Sequence, residues 1–150
     1  MELSHISDDI IRDEYSRRFR LHKGDFIRSS EDVVNHLRTY LGNRTDRELF
    51  VVMFLNARNQ VITTEVMFEG DLTTSAVYPR QVVKRALEIN AAAVVIAHNH
   101  PSGNVNPSQD DMTLTKKLKT ALKTVDIFLH DHIIIVPGND HTSFSDRGLL

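Results

Sequence analysis

The spacing of apolar and polar positions divides the chain into two amphipathic helices followed by a region of strands and helices. Apolar residues recur at helical spacing over residues 8–20, and a second helix is predicted to begin at Ser29 or Ser30, either of which is a favourable cap. The apolar positions are Ile10, Ile11, Tyr15 and Phe19 in the first helix, and Val33, Val34, Leu37 and Leu41 in the second. We predict that residues 1–45 form a helical extension, which either packs on the following domain or serves as an arm.

The rest of the chain has the pattern of an α/β domain. Residues 49–55 and 61–68 are apolar, β-rich runs separated by a turn, so we predict that they form a hairpin. The later predicted elements are a helix from Pro79, a fully buried strand over 91–97, a helix over 108–124, a strand over 127–136 and a short strand over 142–144. This order predicts, for residues 46–150, a mixed β-sheet flanked by helices.

The composition limits the chemistry that the chain can perform. It contains no cysteine, which excludes disulfides, thiolate metal ligands and a cysteine nucleophile. Its net charge of -2 does not favour a domain built mainly to bind nucleic acid. No apolar run approaches the roughly 20 residues that span a bilayer, and residues 1–5 do not have the pattern of a secretory signal. We therefore expect a soluble, cytoplasmic protein that does not bind membranes.

The segment 98–111 holds the candidate metal ligands. His98 and His100 follow the predicted central strand, and side chains two positions apart on a strand point the same way, so both imidazoles can reach one cation. Ser108 begins the next helix, and Asp111 adds a carboxylate in its first turn. Three such ligands and a water form the open geometry of a catalytic zinc site. The Ser-x-x-Asp spacing is also a form of capping box, and the two roles of Asp111 are compatible.

These residues and several others resemble a known family. His-x-His-Pro followed by Ser-x-x-Asp is similar to the JAMM motif of the JAB/MPN+ metalloproteases, and the chain most resembles the RadC-like branch. The supporting matches are Met67-Phe68-Glu69-Gly70, Val77-Tyr78-Pro79-Arg80, Asn90-Ala91-Ala92-Ala93, His98-Asn99-His100-Pro101-Ser102-Gly103, Pro107-Ser108, Asp131-His132, and Ser143-Phe144 with Gly148. The resemblance implies a zinc metalloprotease domain of JAB/MPN-like, cytidine-deaminase-like architecture. Longer relatives carry a helix-hairpin-helix region before this domain, for which residues 1–45 are too few.

The resemblance also implies a role for each site residue. The implied Zn²⁺ ligands are His98, His100 and Asp111. Ser108 is implied to hydrogen-bond the bound water or the tetrahedral oxyanion.

In the family, a glutamate on an earlier strand is the general base. Glu65 and Glu69 are both candidates, and alternation predicts that they lie on one face of the 61–69 strand. The distance to Gly70 favours Glu65, with Glu69 as the alternative.

Two other clusters have simpler interpretations. His130 and His132 repeat the His-x-His pattern, but no helix-borne carboxylate follows them, so we expect a structural role for His132, such as a hydrogen bond behind a metal ligand. The lysines of the 108–124 helix are expected to form a solvated polar face.

The leading functional hypothesis is hydrolysis of a peptide or isopeptide bond, in a peptide or protein substrate, by zinc-activated water. The alternative is a metal-bearing protein that binds DNA in repair or recombination and lacks peptidase activity. A zinc nucleobase deaminase is excluded, because its His-x-Glu and Pro-Cys-x-x-Cys motifs are missing.

Overall fold

The structure, a computed structural model, describes residues 2–42, 44–70 and 77–150. Its helices are α1 (Asp8–Phe19), α2 (Ser30–Leu41), α3 (Pro79–Glu88) and α4 (Gln109–Thr124). Its strands are β1 (Glu48–Leu55), β2 (Val61–Gly70), β3 (Ala93–Asn99), β4 (Phe128–Ile135) and β5 (His141–Ser143). Each predicted element is present. No helix in the described ranges has both the length and the apolar character needed to cross a lipid bilayer.

The five strands form one mixed sheet in the order β2-β1-β3-β4-β5. β1 runs antiparallel to both β2 and β3, β3 runs parallel to β4, and β4 runs antiparallel to β5. The predicted mixed sheet and the β1–β2 hairpin are therefore confirmed. β3 lies at the centre of the sheet, and each of its residues is buried, as its continuous apolar sequence predicts.

Helices cover both faces of the sheet. Alternate residues of β1 point to opposite faces, so Val51 and Met53 pack with α2, whereas Phe50 and Val52 pack with α3 and α4. The predicted apolar stripe of α2 is buried against the face of the sheet that carries Val51 and Met53. α2 is therefore a layer of the core and not an arm, while the proposed domain boundary after residue 45 stays a prediction.

The first helix lies outside the core. α1 is capped by Ser7, whose hydroxyl accepts a hydrogen bond from the Ile10 amide, but none of its residues is buried. Ile10 is 60% exposed and Ile11 is 44% exposed. The helix lies beside α2, where the Tyr15 hydroxyl lies 3.4 Å from Asn35 Oδ1. Helical spacing thus predicted the helix, but it did not reveal that Ile10 and Ile11 stay exposed in the described part of the chain.

A buried histidine connects α2 to β2 and to the segment before α2. The Nδ1 atom of His36 accepts a hydrogen bond from the Leu21 amide at 2.8 Å, and Nε2 lies 2.8 Å from the hydroxyl oxygen of Thr64. The acceptor role of Nδ1 requires the neutral imidazole to carry its proton on Nε2. Burial lowers the pKa of His36 from 6.5 to about 4, and the charges of nearby basic groups contribute to this shift.

We expect this histidine to make the fold sensitive to acid. Between pH 6.5 and about 4 the unfolded chain binds a proton at His36 and the folded chain does not, so stability falls as the pH decreases. The shift corresponds to a loss of about 3 kcal/mol in the free energy of unfolding. Urea titrations from pH 7 to pH 4 should show a smaller loss in His36→Asn than in the wild type. The control His5→Gln changes an exposed histidine and should keep the wild-type slope. Equal slopes in His36→Asn and the wild type would contradict this account.

Candidate metal centre

The end of the central strand places two imidazoles at one point. His98 is the sixth residue of β3 and is 1% exposed, and His100 lies one residue beyond the strand. The His100 amide donates to the Ile135 carbonyl at 2.9 Å, so the chain still follows β4 at this position. The extended backbone therefore directs both side chains to the same face of the sheet, as their spacing predicts.

The start of α4 brings the carboxylate. Ser108 is the N-cap: its hydroxyl oxygen accepts from the Asp111 amide at 3.0 Å, and its amide donates to Asp111 Oδ2 at 2.8 Å. The reciprocal bonds are the capping box that the sequence predicts. They hold the Asp111 side chain in one orientation, with its carboxylate turned back toward the histidines.

The three side chains converge. The Nε2 atoms of His98 and His100 are 2.9 Å apart. Asp111 Oδ1 lies 3.2 Å from the first of these nitrogens, and Oδ2 lies 3.1 Å from the second. One ligand atom from each residue falls within 4.8 Å of the others, and His98 and Asp111 are buried. The group His98, His100 and Asp111 can therefore hold a metal ion.

The electrostatics of the site favour a positive charge among these groups. Burial alone raises the pKa of Asp111, but its close contacts with the imidazoles of His100 and His98 outweigh burial and hold that pKa well below its usual range. Burial lowers the pKa of His100, but its bonds with Asp111 and the Asn104 carbonyl raise the pKa overall, with help from the charge of Glu48. A carboxylate that stays ionised and an imidazole that attracts a proton are together a suitable environment for a cation.

The contact between His100 and Asn104 also determines which nitrogen is available. His100 Nδ1 lies 2.7 Å from the Asn104 carbonyl oxygen, which can only accept a hydrogen bond. Nδ1 therefore carries the proton. In the neutral ring, Nε2 keeps its lone pair and directs it toward His98 and Asp111.

The two glutamates considered for the general base do not share a face. β2 has an extra residue, Met67, between the positions that pair with Phe50 and Val51 of β1. Glu65 therefore pairs with Val52 and faces α3. This bulge reverses the alternation, so the prediction of a shared face is wrong.

Both carboxylates have basic partners. Glu65 forms an ion pair with Arg85 of α3 at 2.9 Å, and Glu69 forms one with Arg47 at 2.9 Å. Neither glutamate lines the pocket that contains His100 and Asp111. The assignment of Glu65 as the base stays a prediction, and the geometry gives it no support.

A third glutamate, Glu48, does line this pocket, which has a volume of about 530 Å³ and also contains His100 and Asp111. Glu48 is the first residue of β1 and precedes Phe50 by two positions. Phe50 pairs with His98, so Glu48 lies next to the position of His100, on the face that carries the candidate metal ligands.

Sequence reasoning missed Glu48 because it began this strand at Leu49 and did not pair the strand with β3. The available signal was the alternation of side chains along β1, which puts Glu48 on the same face as Phe50. It becomes informative only when the register between β1 and β3 is known.

Comparison with known proteins agrees with the motif. The family model of the RadC-like JAB domain matches residues 27–149, a span that includes α2, the sheet and every site residue described above. The chain belongs to the RadC-like JAB domain family.

Its relatives are bacterial proteins called UPF0758 proteins, a name that states no activity. The one from Chromobacterium violaceum is 47% identical over 142 residues, which cover 95% of this chain and 62% of the relative. The one from Nitrosomonas eutropha is 50% identical over 131 residues, which cover 87% of this chain and 57% of the relative. The chain thus spans about three-fifths of the length of these relatives.

In this JAB domain, a second bulge brings His132 to the metal centre. β3 and β4 pair Val94 with Leu129 but Val95 with Asp131, so His130 is an extra residue in β4. His132 consequently points to the face of Leu129, whereas His130 is exposed.

His132 is fully buried, and its Nε2 lies 2.8 Å from Nδ1 of His98. Burial lowers the pKa of His132 well below its usual value, and the electrostatic effect of His98 contributes to this shift. The prediction of a structural role beside a ligand agrees with this contact.

Between His98 and His100, Asn99 connects the JAB domain's β3 to the segment that carries Glu48. Its Oδ1 accepts from the Leu49 amide at 2.7 Å, and its Nδ2 donates to the carbonyls of Arg44 and Arg47 at 2.9 and 3.0 Å. Asn99 is 1% exposed, so water does not replace these bonds easily.

We expect Asn99→Ala to lower the free energy of unfolding by about 1–3 kcal/mol, because buried backbone groups lose their partners. Hydrogen exchange at the Leu49 amide should become faster in the same variant. Asn35→Ala is the control: its carboxamide makes one long contact, to Tyr15, and its loss should cost about 0.5 kcal/mol or less. Equal losses for the two variants, measured by urea denaturation, would refute the assigned role of Asn99.

Proposed function

We propose that this JAB domain is a zinc-dependent hydrolase that cleaves peptide or isopeptide bonds. The observation that carries the proposal is the convergence of His98 Nε2, His100 Nε2 and the Asp111 carboxylate within 4.8 Å of one another. Two imidazoles and one carboxylate form a donor set that suits Zn²⁺, and three protein ligands are typical of catalytic zinc sites, in which a fourth position is open.

The residues around these ligands have separate tasks. A zinc ion bound there supplies Lewis-acid chemistry, which makes water acidic enough to act as a nucleophile near neutral pH. Glu48, on the wall of the same pocket, takes a proton from water on its carboxylate and returns it to the leaving amine. This assignment replaces Glu65, whose carboxylate is engaged by Arg85.

Ser108 is suited to stabilise the oxyanion that forms when water attacks a carbonyl. The cap at the start of α4 uses a lone pair of its hydroxyl oxygen, which accepts from the Asp111 amide. The hydroxyl proton is not consumed by this bond, and it can be donated to an oxyanion in the pocket that Ser108 lines.

The alternative of a metal-bearing DNA-binding protein has less support from the surface. In α1, Arg12 pairs with Asp9, and both Arg17 and Arg18 pair with Glu14. Paired charges contribute less positive potential toward a phosphate backbone than free ones do. A cytoplasmic location stays a prediction from the sequence.

Metal analysis tests the ligand set. We expect the wild type to bind one zinc ion per chain and Asp111→Asn to lose most of this binding, because it exchanges an anionic ligand for a neutral amide. Asp110→Asn is the matched control, since Asp110 is the neighbouring carboxylate on the same helix turn and is exposed. Elemental analysis and zinc titration calorimetry measure both. Full zinc binding by Asp111→Asn would contradict the site.

Activity measurements test the proposed base. With a pool of linear and lysine-branched peptides and mass spectrometric detection, Glu48→Gln should retain zinc and lose about 10²–10⁴-fold in cleavage rate. Glu65→Gln should stay near the wild-type rate, because it removes only a partly exposed ion pair with Arg85. The reverse order of the two variants would restore Glu65 as the base. If the zinc-loaded wild type cleaves none of these peptides, the hydrolase assignment fails.

A further inference from the structure

We propose that Thr115 and His132 are positioning residues, which hold His98 with its proton on Nδ1 and so keep Nε2 available as a metal ligand. This inference rests on the metal centre proposed above and adds two residues to it. It follows from a chain of short contacts that begins at a backbone carbonyl and ends at the ligand nitrogen.

The first contact determines the direction of the Thr115 hydroxyl. Thr115 Oγ1 lies 2.7 Å from the carbonyl oxygen of Asp111, one helical turn earlier. Two oxygens at this distance need a proton between them, and a carbonyl can only accept. The Thr115 hydroxyl therefore donates to Asp111.

The second contact determines the tautomer of His132. Thr115 Oγ1 is also 2.6 Å from His132 Nδ1, and its single proton is already committed to Asp111. The hydroxyl oxygen can then only accept, so His132 Nδ1 carries a proton. His132 is fully buried and stacks on the ring of Phe144 at a centroid distance of 4.4 Å. Such a site favours the neutral ring, which leaves a lone pair on Nε2.

The third contact transmits this direction to the ligand. His132 Nε2 lies 2.8 Å from His98 Nδ1, and one proton must lie between them. Since His132 Nε2 has a lone pair, the proton belongs to His98 Nδ1. A neutral His98 then has its lone pair on Nε2.

The result bears on the centre of the site, where the two Nε2 atoms face each other. His98 Nε2 and His100 Nε2 are 2.9 Å apart, and the contacts behind them place the proton of each neutral ring on the opposite nitrogen, Nδ1. Two lone pairs facing each other repel unless a cation lies between them. The hydrogen bonds of Thr115, His132 and Asn104 thus prepare both imidazoles for a metal before it binds.

Nitrogen-15 NMR of the histidine rings in metal-free protein, at a pH where the rings are neutral, tests this directly. We expect the wild type to show a protonated Nδ1 and an unprotonated Nε2 for both His98 and His132. The opposite tautomer in either ring would overturn the proposal, and this reading needs neither a variant nor activity.

Variants of Thr115 provide the second test. Thr115→Val removes the hydroxyl that directs the chain of bonds, so the tautomers of His98 and His132 should become mixed and zinc affinity should fall by about 10–100-fold. Thr115→Ser keeps the hydroxyl and should preserve the wild-type tautomers and affinity. Thr124→Val is the control for the helix, because Thr124 makes the same hydroxyl bond to a carbonyl four residues earlier, at an exposed position.

Each result has one meaning. Mixed tautomers with weaker zinc binding in Thr115→Val, restored in Thr115→Ser and not seen in Thr124→Val, support the positioning role. Unchanged tautomers and affinity in a folded Thr115→Val would overturn it, and altered tautomers in Thr115→Ser would do the same if the valine variant does not fold. A protein with the stated tautomers that cleaves no peptide would leave this assignment in place and remove only the hydrolase function.

Discussion

β3 is hydrogen-bonded to β1 on one side and to β4 on the other, and each neighbour brings a side chain to the end of the strand where His98 lies. β1 contributes Glu48 to the pocket that His100 and Asp111 line, and β4 contributes His132, which contacts His98. The site is thus assembled from three strands, which backbone hydrogen bonds hold in one sheet, and from one helix that packs on that sheet. Such support suits a metal centre, whose ligands must be held close to their bonding positions before the ion arrives.

Asp111 connects the stability of the fold with the chemistry of the site. One oxygen of its carboxylate accepts a hydrogen bond from the Ser108 amide and also lies 3.1 Å from His100 Nε2. A negative charge at the first turn of α4 is favoured by the exposed amides and the dipole of the helix. The helix therefore offsets part of the cost of burying this charge, and the carboxylate is ionised and oriented without the help of a ligand.

Local features of the site were predictable from the sequence, and long-range ones were not. His98, His100, Ser108 and Asp111 lie within one strand, one loop and one helix start, so alternation and capping rules place them together. Glu48 reaches the same pocket only through the register of β1 against β3, which involves residues about 50 positions away.

Side-chain alternation fails at the two bulges because an extra residue in one strand reverses the side-chain pattern beyond it. Because Met67 is an extra residue, Glu65 and Glu69 lie on opposite faces of the sheet, and no propensity rule predicts such a residue. α1 shows the opposite limit, since its periodicity predicted a helix correctly and gave no information about what covers its apolar positions, such as Ile10.

The extra residue in β4, His130, has a consequence for how homologous domains should be compared. If His130 paired regularly with β3 and did not bulge, alternation would turn His132 toward α2, although every motif letter would still be present. Two chains with identical His-x-His and Ser-x-x-Asp signatures can therefore differ in whether their first ligand has a hydrogen-bonding neighbour. The number of residues between Leu129 and His132 must be considered together with the strand pairing, because two residues with a bulge and one residue without a bulge place the histidine on the same face.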